Sequence, residues 1–118
     1  GGLRDHGMSP LVSHLYETKE MEAVAKTQRE CFDAGVLFAR AEGIIPAPES
    51  THAIAEAVRA AKAEEHGSIL IGLSGHGLID LGAYQAYLAG ELTDHTWADD
   101  ELKKSVADAL TRLPAIPA

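Results

Sequence analysis

The chain has 118 residues, 46% of them hydrophobic and 24% charged, with aromatic residues making up only 5%. That length holds one small domain, and that balance excludes a disordered polar tail. With 18 acidic residues against 10 basic the net charge is −8, the wrong sign for a nucleic-acid or anionic-membrane surface.

Cys31 is the sole cysteine, so no intrachain disulfide can form and a reducing, cytoplasmic setting is expected. The apolar runs fall well short of the ~20 residues that span a bilayer. The start, "GGLRDHGMSP", carries neither an initiator Met nor the apolar core of a signal peptide. The expectation is a sequence that begins part-way through a longer unit.

Residues 1 to 8 are Gly-rich and predict a loop. Ser9 and Pro10 suit the cap and first position of a helix over 9–18, with Leu11, Val12, Leu15 and Tyr16 inward. Residues 21 to 26, "MEAVAK", alternate weakly and make a short strand candidate. Thr27 can cap a helix over 27–42 closed by Gly43, in which Cys31, Ala34, Leu37, Phe38 and Ala41 recur at helical spacing. In "IIPAPES" two prolines within three residues interrupt helix and leave an extended segment. A helix over 50–65 follows, ended by Gly67, with Ile54, Ala57, Val58 and Ala61 on one face. Ile69 to Leu73 is the best strand candidate, short and apolar on both faces as a parallel sheet requires. Helices over 79–89 and 99–112 complete the chain, the second capped by Asp99 and striped by Leu102, Val106, Ala109 and Leu110, before the tail "PAIPA". The order is α/β, yet two or three short strands form only part of a parallel sheet. The expected fold is therefore a helix-rich piece of a larger α/β unit.

The stretch "SILIGLSGHGLIDL", residues 68 to 81, sets a hydroxyl among glycines at the end of the best strand candidate. It is no hydrolase elbow, because His76 stands where the second Gly of that motif belongs. It is no dinucleotide fingerprint either: the third glycine is missing and Asp80 would repel phosphate. His52, His66, His76 and His95 form neither H-x-x-x-H nor H-E-x-x-H, so no metal centre is indicated. Glu49 and His52, three apart at a helix start, share a face there. Cys31 on an apolar stripe reads as a core residue rather than a reactive thiol.

Together, "GGLRDHGMSPLVSHLY", "EGIIPAPESTHAI", "LSGHGLIDL" and "YLAGEL" resemble the C-terminal part of tryptophan synthase β chains, most of all the longer second type. The resemblance covers residue 1 to about residue 92, with Asp5 standing where the family carries an aromatic residue. It implies the fold-type II family of pyridoxal 5′-phosphate (PLP) enzymes, which here replace the β-hydroxyl of L-serine with indole, giving L-tryptophan and water. On that resemblance, residues 1–98 belong to the catalytic domain and 99–118 form a C-terminal helix and tail. Ser74 matches the serine that meets the pyridine nitrogen of PLP, with Gly75 beside it. Glu49 matches the glutamate near the ring, and Gly2 lies in the loop flanking the substrate side. The carbonyls of Leu3, Asp5 and Gly7 match positions at which the family can bind a monovalent cation. A homodimer is implied, and an α-type subunit is a further family partner that this sequence does not specify.

The resemblance also gives the serine a physical task. Electron withdrawal by PLP depends on what bonds its ring nitrogen. A carboxylate there holds the ring protonated; a neutral hydroxyl, whose bond contributes ~0.5–1.5 kcal/mol against ~1.5–3 for a charged group, leaves it largely unprotonated. That favours β-replacement over transamination. Gly75 and Gly77 are expected to let the backbone approach the flat ring. The family's cofactor-binding lysine, its catalytic glutamate and its phosphate loop match nothing here, since Lys19, Lys26, Lys62, Lys103 and Lys104 stand in other contexts. The chain alone is thus expected to be inactive, with no tightly held cofactor. The competing readings are a standalone interaction module that keeps the fold without the chemistry, and an unrelated small-ligand α/β domain.

Overall fold

The computed structural model describes residues 9–64, 67–94 and 98–112, the side chain of Asp99 excepted. Five helices follow one another: α1 (Pro10–Glu17), α2 (Gln28–Glu42), α3 (Thr51–Lys62), α4 (Leu81–Leu88) and α5 (Asp99–Leu110).

Local chemistry sets most of their ends. Thr27 and Glu30 form a reciprocal capping box: the Thr27 hydroxyl accepts the Glu30 N–H at 3.3 Å and the Glu30 carboxylate accepts the Thr27 N–H at 2.7 Å. The two Thr27 bonds hold the Glu30 carboxyl below its usual range. Gly43, at φ 72°, closes α2. Gly90, at φ 76°, closes α4, where the Glu91 N–H reaches back to the Ala86 carbonyl at 2.9 Å. Three details differ from expectation. Ser9 stands at the cap position of α1 but its side chain makes no capping bond. Helix α3 stops at Lys62, well before Gly67, because Glu64 already takes the left-handed conformation at φ 54°. Ala98, not Asp99, occupies the cap position of α5.

The core lies where α2 meets α3 and α4. Cys31, Phe32, Ala34 and Gly35 of α2 are buried against Thr51, Ile54 and Ala60 of α3 and Tyr84 of α4. Phe32 anchors this contact, edge-on to Tyr84 at 5.0 Å and stacked on Tyr87 at 5.6 Å between ring centroids. Gly35 is required for the close approach, since a Cβ there would stand 2.7 Å from both the Thr51 methyl and the Tyr84 hydroxyl. Lys26 crosses to Glu56 of α3 at 2.7 Å, and Glu56 also meets Arg59 at 2.7 Å.

The expected strands are not formed among the described residues. Residues 69–73 carry no ladder, and Leu70 is 99% exposed. The "MEAVAK" segment is likewise irregular, with Val24 exposed. The physical reason is that a strand is defined by its neighbours: a segment apolar on both faces needs partners along its edges to satisfy its N–H and C=O groups. The pairing seen among the described residues is a single antiparallel bridge, Pro46 to His76. Helices α1 and α5 pack on no other described helix, so the Leu102, Val106 and Leu110 stripe of α5 faces outward. The radius of gyration is 16.9 Å, against about 13.5 Å for a close-packed chain of this length. No described helix is long and apolar enough to cross a membrane.

Candidate functional site

Two loops distant in sequence close on one another. Ahead of α3, residues 44–50 run antiparallel to residues 74–77. The Gly77 N–H donates to the Ile45 carbonyl at 2.8 Å, and the Ala47 N–H to the Gly75 carbonyl at 3.4 Å. Pro46 has no N–H to offer the pair. Its carbonyl accepts the Tyr84 hydroxyl at 2.7 Å, which ties the loop to α4. Tyr84 is buried, and burial first, with the Asp80 charge second, pushes its hydroxyl up to about pKa 12. The Thr51 hydroxyl, fully buried, donates to the Pro48 carbonyl at 2.6 Å and fixes the entry to α3.

The motif residues meet at Ser50 and Ser74. Buried Ser50 donates its hydroxyl to the Ser74 carbonyl, and the two hydroxyl oxygens lie 3.2 Å apart. Ser74 and Gly75 are exposed. Gly75 has φ 74°, a conformation that favours glycine, and a Cβ there would stand 3.3 Å from the Ala47 side chain. Gly77 does something other than expected: it is buried, and a Cβ there would stand 2.4 Å from the Pro46 carbonyl oxygen. Its smallness joins the two loops.

Glu49 sits in the turn before α3 rather than in the first helical turn, and it is exposed. Its carbonyl accepts from His52 Nδ1 at 3.1 Å, which requires the proton on that nitrogen. Cys31 is buried and its thiol is pushed up by burial, an unreactive core position as expected. Gly2, Leu3, Asp5, Gly7, His66 and His95 lie outside the described residues. Among the described residues no group of three or more His, Cys, Asp or Glu side chains is placed to hold a metal ion. A separate cavity of 490 Å³ lies between the start of α2 and the end of α4, with Arg29, Tyr87 and Asp94 on its wall and neither site loop lining it. There the Asp94 carboxylate accepts the Arg29 N–H at 2.9 Å, across 65 residues of sequence.

Ser50 and Tyr84 were missed by sequence reasoning. Ser50 carried a signal, a hydroxyl at a helix start next to two prolines, but that signal points to capping. Only the approach of the second loop turns its side chain to Ser74.

No family model matches the chain. Curated relatives do: a tryptophan synthase beta chain 2 of Aquifex aeolicus is 57% identical over 98 residues, 80% of this chain and 23% of that protein. A tryptophan synthase beta chain of Fervidobacterium nodosum is 56% identical over 84 residues, 71% of this chain and 20% of the relative. The chain is homologous to tryptophan synthase β chains. A beta chain 2 of Methanosarcina acetivorans, 53% identical over 96 residues, agrees. The chain spans under a quarter of the length of these relatives. The family resemblance drawn from the four motif stretches is therefore shown.

Proposed function

We propose that this chain supplies the pyridine-ring side of the cofactor site of a PLP-dependent, tryptophan synthase β-like lyase that joins L-serine and indole into L-tryptophan and water. The observation that carries the reading is the Ser50–Ser74 contact, which joins the "IIPAPES" and "LSGHG" motifs while Glu49 and Ser74 are both exposed. PLP, when bound, withdraws electrons from the amino-acid substrate. The residues present fit its ring edge: a neutral, exposed hydroxyl at Ser74, an exposed glycine at Gly75 and an exposed carboxylate at Glu49. Ser74 bonds the ring nitrogen without imposing a charge, and Gly75 lets the flat ring come close. Glu49 lies near the ring, held at its height by the prolines on either side of Ala47. On the family resemblance, Gly2 would flank the substrate, and the carbonyls of Leu3, Asp5 and Gly7 would take a monovalent cation.

The two site loops contain no lysine, and Lys26 is committed to Glu56. Covalent attachment and phosphate binding then fall to residues beyond this chain, and the chain by itself is catalytically silent. Residues 1–98 act as part of the catalytic domain and 99–118 as a terminal helix and tail. The complete enzyme works as a cytoplasmic homodimer. A standalone module without chemistry would equally keep the helix core, but it gives no reason to present the Ser74 hydroxyl at the surface.

The test places this segment in the complete enzyme, for example in place of the matching segment of the Aquifex aeolicus relative. Ser74→Asp should hold the ring protonated and raise transamination relative to tryptophan formation, while Ser74→Ala has a milder effect. Equal product ratios in all three enzymes would remove the role assigned to Ser74.

A further inference from the structure

A hydroxyl has one proton to give, and the placement of Ser50 uses both of its bonding directions on Ser74. Its partner at the first contact is a carbonyl oxygen, which can only accept, so the Ser50 proton goes to the Ser74 carbonyl. Across the 3.2 Å between the two hydroxyl oxygens, Ser50 therefore has only a lone pair left, and Ser74 is the donor. Ser50 is 3% exposed, so water does not replace either bond easily. In this arrangement Ser74 turns its lone pairs, not its proton, toward the open surface.

We propose that Ser50 is a positioning residue that competes with the pyridine nitrogen for the Ser74 proton and thereby raises the proton affinity of that nitrogen. The inference rests on the reading of Ser74 as the ring-nitrogen partner. With Ser50 holding its proton, Ser74 is ready to accept from a protonated nitrogen. To donate to an unprotonated one it must first leave Ser50. Ser50 thus opposes, in part, the tendency of a neutral serine to keep the ring unprotonated. The ionisable side chains on the two loops are Glu49 and His76, with His52 in the first turn of α3, Asp80 at the cap of α4 and Tyr84 within α4. All are common to the variants below, so their fields cancel in the comparison.

The experiment follows the ring-nitrogen chemical shift of ¹⁵N-labelled PLP against pH in the complete, PLP-loaded enzyme carrying this segment. Ser50→Ala and Ser50→Gly both delete the hydroxyl, and both suit a helix start closely enough to keep the fold. Each should lower the protonation midpoint by about one pH unit, the size of one neutral hydrogen bond. Ser50→Thr, which restores a hydroxyl, should return it toward the parent value. An unchanged midpoint in both deletion variants would overturn the role of Ser50 and reduce it to packing. Ser74→Ala separates the two levels of inference. If it moves the midpoint while the Ser50 variants do not, only the positioning role fails; if it does not, the assignment of Ser74 fails.

Discussion

Gly77→Ala tests the joint between the two site loops. The added methyl would stand 2.4 Å from the Pro46 carbonyl oxygen, 2.9 Å from the Ile45 side chain and 3.1 Å from the Tyr84 ring. The nearest of these is backbone, so no side-chain rotation relieves it, and the loops must separate. Overpacking of this kind costs about 1–3 kcal/mol, and losing the 2.8 Å bond from the Gly77 N–H to the Ile45 carbonyl adds about 1 kcal/mol. The sum of about 2–4 kcal/mol corresponds to a fall of roughly 30- to 1000-fold in amide-exchange protection at Ala47 and at residue 77. Gly72→Ala is the control. It meets nothing within 4 Å and should change stability by less than about 0.5 kcal/mol. Hydrogen exchange read residue by residue compares the two. Equal protection at Ala47 in both variants would refute the claim that Gly77 joins the loops, and with it the account of how Ser50 reaches Ser74.

The remaining predictions concern pH and association. The Tyr84 pKa of about 12 lies above its ordinary value of 10, so the folded state keeps a proton that the unfolded chain gives up. Its contribution is whole below pH 10 and should be lost between pH 10 and about 12; Tyr84→Phe should flatten that part of a stability-versus-pH profile, and an unaltered profile would contradict the burial argument. The isolated chain should also self-associate. Its accessible surface is 9467 Å², against about 6200 Å² for a compact protein of its mass, and Leu70, Ile79 and Leu11 stand open. Light scattering that reports a monodisperse monomer at tens of micromolar would speak for a self-sufficient module.

Helices were legible because their signals are local. The Thr27 to Glu30 spacing makes a capping box, and Gly43 stops α2, whatever surrounds them. Strands were not legible as strands, because residues 69–73 have the composition of a buried strand while the described chain contains no second strand to pair with them. Burial was legible only in part. The α2 stripe placed Cys31 and Ala34 correctly, but Leu37 is exposed, and Phe32 is buried because Tyr84 and Tyr87 come to it from α4. The candidate site divides in the same way. Ser74 and Glu49 stood out by motif, while Ser50 and Tyr84 act through contacts that cross 24 and 38 residues of sequence.

These contacts separate what holds the site from what holds the rest of the surface. The two loops are fixed by groups within the chain: the α2–α3 contact, the Thr51 hydroxyl on Pro48, the Tyr84 hydroxyl on Pro46 and the Gly77 amide on Ile45. None of these needs residues 69–73, α1 or α5. The Ser50–Ser74 geometry is therefore set by the helix core, before anything covers the apolar residues beside it. The open apolar segments carry a different task, since burying them against other residues adds stability without having to rebuild the site. It follows that substitutions in α5 or at Leu70 should alter assembly while leaving the hydroxyl pair in place.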